Sequence, residues 1–234
     1  MSPELIVDVP EALSAELARR MEGWAAAALG DRGRFALALP GGSVAVAFLP
    51  RLSRAGVDWS HAEFFWGDER AVPADHPDSN YGLTWSLWLR DAGLAVDRIH
   101  RMPADAGDID AAARAYEALL IERLGAPAVL DVVLLGVGPD GHVCSLFPGH
   151  ALLAEQARFV APVLDSPKPP TRRLTLTLPA LAAARIVVVA AFGRAKSGVV
   201  REALNDPGSR LPLALALRRA ARALVLLDPD AAGR

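Results

Sequence analysis

Short apolar runs alternate along this chain with longer stretches in which apolar residues recur every three to four positions. Buried strands are predicted at Phe35–Leu39, Glu63–Trp66, Asp131–Val137, Leu174–Leu178, Ile186–Ala191 and Ala223–Leu227. Helices are predicted at Ser79–Arg90, Ile109–Leu124, Arg194–Leu204 and Pro212–Ala220, the last with its proline in the first turn, where a helix tolerates one. An earlier helix starts after Asp8, read as a cap ahead of Pro10 and Glu11. It carries Leu13, Leu17, Met21 and Trp24 on one face, and Gly30 is placed to end it. Strands that alternate with helices predict an α/β fold: a doubly wound, Rossmann-like, mostly parallel sheet covered by helices on both faces. No repeat or linker divides residues 1–234, so a single domain is expected.

Three of these strands run straight into loops rich in glycine or charge: PGGS at 40–43, GDER at 67–70 and GVGPDGH at 136–142. In open α/β sheets, ligands bind in the crevice beyond the carboxyl ends of the strands, so three such loops imply one composite site. In the first, Gly41 and Gly42 let the backbone approach a ligand, and a helix starting there offers free N–H groups to an anion. Read alone, the tetrapeptide is better taken as an ordinary tight strand-to-helix turn. It is not a P-loop, because the spacing and the Lys-Ser/Thr ending are absent. Gly136, Gly138 and Gly141 match GxGxxG, but mid-chain, and Asp140 would set a negative charge against a pyrophosphate. A dinucleotide site is therefore rejected.

Composition narrows the classes of function. Hydrophobic residues make up 52% of the chain, which excludes a disordered polyelectrolyte. Lys and Arg total 25 against 27 Asp and Glu, which offers no basic surface for nucleic acid. The longest apolar runs, such as Ile186 to Phe192, fall far short of the roughly 20 residues of a membrane span. Cys144 is the sole cysteine, so no internal disulfide forms, and the opening MSPELIVDVPEALSAE does not read as a signal peptide. A cytoplasmic protein without nucleic-acid or membrane partners is expected.

Among individual residues, His142 stands out. It follows Asp140-Gly141 at a strand end, where an adjacent carboxylate and a glycine-rich approach can position an imidazole for proton transfer near neutrality. A lone histidine is more often structural, and His61, His76, His100 and His150 lack a comparable context. A metal held by Asp140, His142 and His150 matches no helical ligand spacing and is not expected. Cys144 reads as a small buried residue rather than a thiolate. Arg70 suits a phosphate or an oxyanion, or a salt bridge with Asp68 or Glu69. Lys196, one of only two lysines beside Lys168, stands at a strand-to-helix junction that suits a phosphate. Arg172 and Arg173 precede a strand, and either can reach an anion or solvate the strand end. Asn80 and Tyr81 read as turn and packing residues of the pocket wall.

Taken together, PGGS, FFWGDERAVPADHPDSNYGL, DVVLLGVGPDGHVCSLFPGH, RRLTLTLPAL with the following ARIVVVAAFG, and Gly193-Arg194-Ala195-Lys196 resemble the 6-phosphogluconolactonase family, which opens a lactone ring in the pentose phosphate pathway. The matching pieces run from about residue 35 to 204. The resemblance implies His142 as general base, with Arg70 and Asp140 assisting, and substrate or phosphate contacts from Gly41, Gly42, Ser43, Asp68, Arg173 and Lys196. It implies no cofactor, no metal, a sugar-phosphate lactone as substrate, and a monomer or weak homodimer. The sequence departs from the family pattern where Val44 and Ala45 follow Ser43, where Pro40 precedes the glycines, and at Pro50, which is expected to kink or end the helix after the turn. Rival readings are a hexosamine-phosphate deaminase or isomerase on the same fold, and a sugar-phosphate sensor. In the related deaminases a glutamate stands five positions after the DGH histidine; here that position is Phe147.

Overall fold

A computed structural model describes residues 2–234. The chain builds a six-stranded, wholly parallel sheet from β1 (Glu4–Val7), β2 (Phe35–Leu39), β3 (Ala62–Trp66), β5 (Val132–Gly136), β8 (Ile186–Ala191) and β9 (Ala223–Leu227), in the order β1-β9-β8-β5-β2-β3. Strands β2, β3 and β8 are buried along their whole length. Such strands read as continuous apolar runs because both faces of a parallel sheet are covered. The helices α1 (Pro10–Arg32) and α2 (Gly42–Leu52) cross over as the chain steps one way along the sheet and pack on each other; α6 (Ser197–Asn205) and α7 (Pro212–Arg219) do so where it steps the other way. Right-handed crossovers put the two pairs on opposite faces. The direction of winding reverses between β2 and β5, which pair through Leu37–Val132 and Ala38–Val133.

A second, smaller sheet is antiparallel and adds to the mostly parallel one that was expected. Gly67 alone separates β3 from β4 (Asp68–Arg70), which pairs antiparallel with β7 (Arg173–Leu176); β7 in turn pairs antiparallel with β6 (Val160–Val163). The run predicted as a buried strand from Leu174 thus belongs to this small sheet, and the remaining helices are α3 (Asn80–Leu87), α4 (Ile109–Leu124) and α5 (Leu178–Ala183). Gly67 joins the two sheets, donating its N–H to Leu39 O and accepting from Leu176 N.

Several local expectations shift. Asp8 does not cap α1: its carboxylate accepts from Val9 N, and Val9 is the cap residue, with no side-chain bond. Gly30 does not end α1, which runs to Arg32 and closes on Gly33 in the left-handed conformation (φ 67°). Leu13, Leu17 and Met21 are fully buried as predicted, while Trp24 is half-buried with the Arg222 guanidinium over its ring. Pro50 does not stop α2, which continues to Leu52. Ser79 caps α3 by accepting from Gly82 N, and α3 ends at Leu87, short of the predicted Arg90. Asp131 is not in β5: its buried carboxylate accepts from Ala36 N and binds Arg32 and Arg185, tying β2 to the start of β5.

Candidate active site

The carboxyl ends of β2, β3 and β5 lie side by side, and the loops leaving them enclose a cleft of about 150 Å³. It is lined by Gly41, Gly42 and Ser43 from the first loop, Asp68 and Arg70 from β4, and Gly138 and His142 from the third. Arg173 from β7 and Lys196 from the turn before α6 complete it. The cleft therefore lies beyond these strand ends, at the switch point of the winding, where open α/β sheets bind ligands. Of the predicted residues, only Asp140 is set back from the lining, behind His142.

The loop from Gly138 to His142 is closed by two bonds, Gly138 N to His142 O and Gly141 N to Gly138 O, both 2.9 Å. Gly138 has to be glycine because a Cβ there would fall 2.0 Å from His142 Nδ1, and Gly141 takes a φ of +81° that favours glycine. His142 Nδ1 lies 2.5 Å from Asp140 Oδ1. Burial works against ionisation of Asp140, but hydrogen bonds from His142 and Lys168 outweigh it and hold the carboxyl at about 2. An ionised carboxylate only accepts, so Nδ1 carries the proton and Nε2 is left with its lone pair. Burial pushes the imidazole pKa below its ordinary value, against the opposing pull of Asp140. A histidine–carboxylate pair of this kind supplies a neutral, oriented proton acceptor at pH 7. The Phe147 ring packs against the imidazole at 4.8 Å between centroids, so no second acid–base group adjoins it from that position.

Positive charge gathers around the same cleft. Lys196 is half-buried, makes no ion pair among the described residues, and burial lowers its pKa. Arg70 donates through Nη1 to Asp78 O, while its buried Nε has no partner among the described residues. The Gly41–Ser43 turn opens α2 and adds unpaired backbone N–H groups, with Gly42 at φ 62°. Together these groups can receive a dianion and steady negative charge developing on a substrate oxygen.

Two assignments take a different form in three dimensions. Arg173 is buried, and its guanidinium is largely committed: Nε donates to Pro170 O, Nη2 to Lys168 O and Pro169 O, and Nη1 to Ser145 Oγ. Its exposed neighbour Arg172 points elsewhere, reaching Gly107 O. Asp68 is likewise buried, accepting from Ser145 Oγ at 2.6 Å and from Asn80 Nδ2 at 3.1 Å. Both hold the walls of the cleft together. Cys144 faces the cleft with a φ of +50°, but burial pushes its thiol well above the ordinary range, which leaves it protonated rather than nucleophilic. His150 pairs with Asp165 rather than with His142.

Three residues mattered more than their sequence context suggested. Asn80 lines the cleft, and its amide bonds to both Asp68 O and Asp68 Oδ1. Glu69 is buried and accepts from Arg70 N, Asn80 N, Tyr81 N and Ser79 Oγ, fastening the start of α3 to β4. Lys168 reaches the Asp140–His142 pair from the loop before β7. Asn80 and Lys168 fall in the SNY and SPKPP runs, neither of which carries a local period or spacing that marks them, and Glu69 lies in GDER, where its sequence context suggested only a salt bridge with Arg70.

An acid–base pair and an anion-receptive pocket at the switch point of a doubly wound sheet define an α/β protein built for a small anionic ligand. Residues 8–225 match the family profile described as glucosamine-6-phosphate isomerases/6-phosphogluconolactonase. The chain belongs to that family. It is 41% identical over 231 residues to the 6-phosphogluconolactonase of Rattus norvegicus, covering 95% of this chain and 90% of the relative. It is also 41% identical over 233 residues to that of Mycobacterium tuberculosis, covering 95% and 94%. Among solved structures, 6-phosphogluconolactonase from Trypanosoma cruzi superposes with a TM-score of 0.88 at 29% identity, covering 100% of this chain and 98% of the other. A monomeric glucosamine-6-phosphate deaminase superposes at 0.83 with 22% identity, covering 100% and 99%, a likeness of fold alone.

Proposed function

We propose that this protein hydrolyses 6-phosphoglucono-1,5-lactone to 6-phosphogluconate. The observation that carries the proposal is the convergence of the Asp140–His142 pair with Lys196, Arg70 and the Gly41–Ser43 turn on one cleft, in a chain 41% identical to relatives named for that activity. A lactone is an activated ester, so a single base suffices. His142 Nε2 takes a proton from water as the water oxygen bonds to the carbonyl carbon. Arg70 faces the oxyanion that forms. The imidazolium then returns the proton to the ring oxygen as the carbon–oxygen bond breaks, and Asp140 holds the ring in the required tautomer throughout. Lys196 and the Gly41–Ser43 turn hold the phosphate.

The rival is the deaminase reaction. Amine elimination with aldose–ketose isomerisation moves protons at several atoms, and the apolar Phe147 against His142 supplies no second group to carry them. The two are separated by giving the purified protein freshly made 6-phosphogluconolactone and, separately, glucosamine 6-phosphate. Lactone hydrolysis above the spontaneous rate with no ammonia release is expected. Ammonia release at a rate matching lactone loss would refute the assignment.

A further inference from the structure

Lys168 is placed where no role has been assigned to it. Its Nζ lies 3.0 Å from Asp140 Oδ1 and 3.2 Å from His142 Nδ1. An ammonium group only donates, and Nδ1 already carries a proton directed at Oδ1, so Lys168 and His142 share one acceptor oxygen. The 3.2 Å approach is then a cation held against the edge of the imidazole.

The loop that carries Lys168 is itself built to hold it. Ser166 Oγ donates to Lys168 O at 2.8 Å and accepts from Lys168 N at 3.2 Å. The Arg173 guanidinium bonds the carbonyls of Lys168, Pro169 and Pro170 in succession, and itself sits 5.7 Å from the centroid of the Phe147 ring. A buried arginine bound to three successive carbonyls fixes the direction in which the loop projects its lysine.

We propose, on the reading of His142 as the base, that Lys168 is a positioning residue: its ammonium pins the Asp140 carboxylate beside Nδ1 and, as a fixed cation, keeps the imidazole in its neutral, proton-accepting form. Two consequences follow for one proton cycle. The lone pair on Nε2 is available at neutral pH. Once Nε2 has taken the proton from water, the imidazolium lies beside a like charge, which favours handing that proton on to the ring oxygen. Arg173 acts one step further back, through the loop.

The other charged groups around the imidazole are Asp140 on its own loop, Asp68 and Arg70 on β4, Arg173 on β7 and Lys196 before α6. The two carboxylates favour the charged ring, and Lys168 is the cation nearest to it. The effect of removing it therefore has a definite sign.

The test is the titration of the His142 ring by NMR in the wild type, Lys168→Met and Lys168→Arg, alongside the pH dependence of kcat/KM for the phosphorylated lactone. Lys168→Met removes the cation but keeps the apolar stem. It is expected to raise the His142 midpoint by about one pH unit or more and to move the acid limb of kcat/KM with it. KM is expected to stay within about twofold, and Lys168→Arg to return the midpoint close to that of the wild type. A midpoint that is unchanged or lowered in Lys168→Met overturns the proposal, and a tenfold rise in KM with an unmoved midpoint makes Lys168 a substrate ligand instead. The ring titration does not depend on turnover. A wild type inactive on the lactone would refute the reaction, whereas a midpoint raised in Lys168→Met over that inactive wild type would still support the action of Lys168 on the ring.

Discussion

At the scale of single residues, the chemistry depends on which charges have partners and which do not. His142 and Asp140 were legible because they stand two positions apart in a glycine-rich strand end; Lys168 was not, because it lies 26 positions beyond His142. Arg173 shows the opposite limit. Its residue type suited a phosphate, yet three loop carbonyls take up most of its donors. Lys196 has no such commitments among the described residues, and it is half-buried at the cleft. Charge-assisted bonds to phosphate act on ground-state binding. Lys196→Ala is therefore expected to raise KM for the phosphorylated lactone by at least about tenfold, roughly the 1.5–3 kcal/mol of a hydrogen bond to a charged group. Little change is expected with the unphosphorylated lactone, and steady-state kinetics on both substrates make the comparison. Equal losses on the two would mark the lysine as structural.

At the scale of elements, the predicted strands and helices largely appear, and their ends are where the sequence reading fails. Helix ends depend on partners distant in the chain: α3 is fastened at its start by Glu69, a side chain of β4, while β6 pairs with β7 and β7 with β4. The short β6 has no long apolar run to reveal it, and β7, read as a strand at Leu174–Leu178, gave no sign of its antiparallel partners. The glycine turn before α2 illustrates the same dependence. Its two glycines suggested anion binding, but Gly41 also makes room for Asn80: a Cβ there would lie 1.8 Å from Asn80 Oδ1. Asn80 in turn holds Asp68 through both of its bonds. Gly41→Ala is thus expected to destabilise the fold by about 1–3 kcal/mol, the usual range for overpacking, and to reduce activity by displacing the β4 wall. Urea unfolding together with the lactonase rate checks this. Wild-type stability and rate in the variant would show that Asn80 moves aside freely.

At the scale of the whole molecule, the doubly wound sheet was legible because its strands are buried on both faces and so stand out as apolar runs. The location of the site followed from the polar clusters at three strand ends, since topology brings the carboxyl ends of β2, β3 and β5 together. The antiparallel pairing of the small sheet was not legible, although its strand β7 was, yet that sheet carries Asp68, Arg70 and Arg173 to the crevice. In the proposed reaction one neutral histidine, oriented by a carboxylate, moves the single proton that lactone hydrolysis requires. The most direct measurement is the rate of 6-phosphogluconolactone hydrolysis by the wild type and His142→Ala, corrected for the spontaneous reaction, with 6-phosphogluconate binding measured on both. A base at His142 predicts a loss in kcat of roughly 10²–10⁴-fold in the variant, with product binding retained. A His142→Ala protein that kept most of the wild-type rate would contradict it.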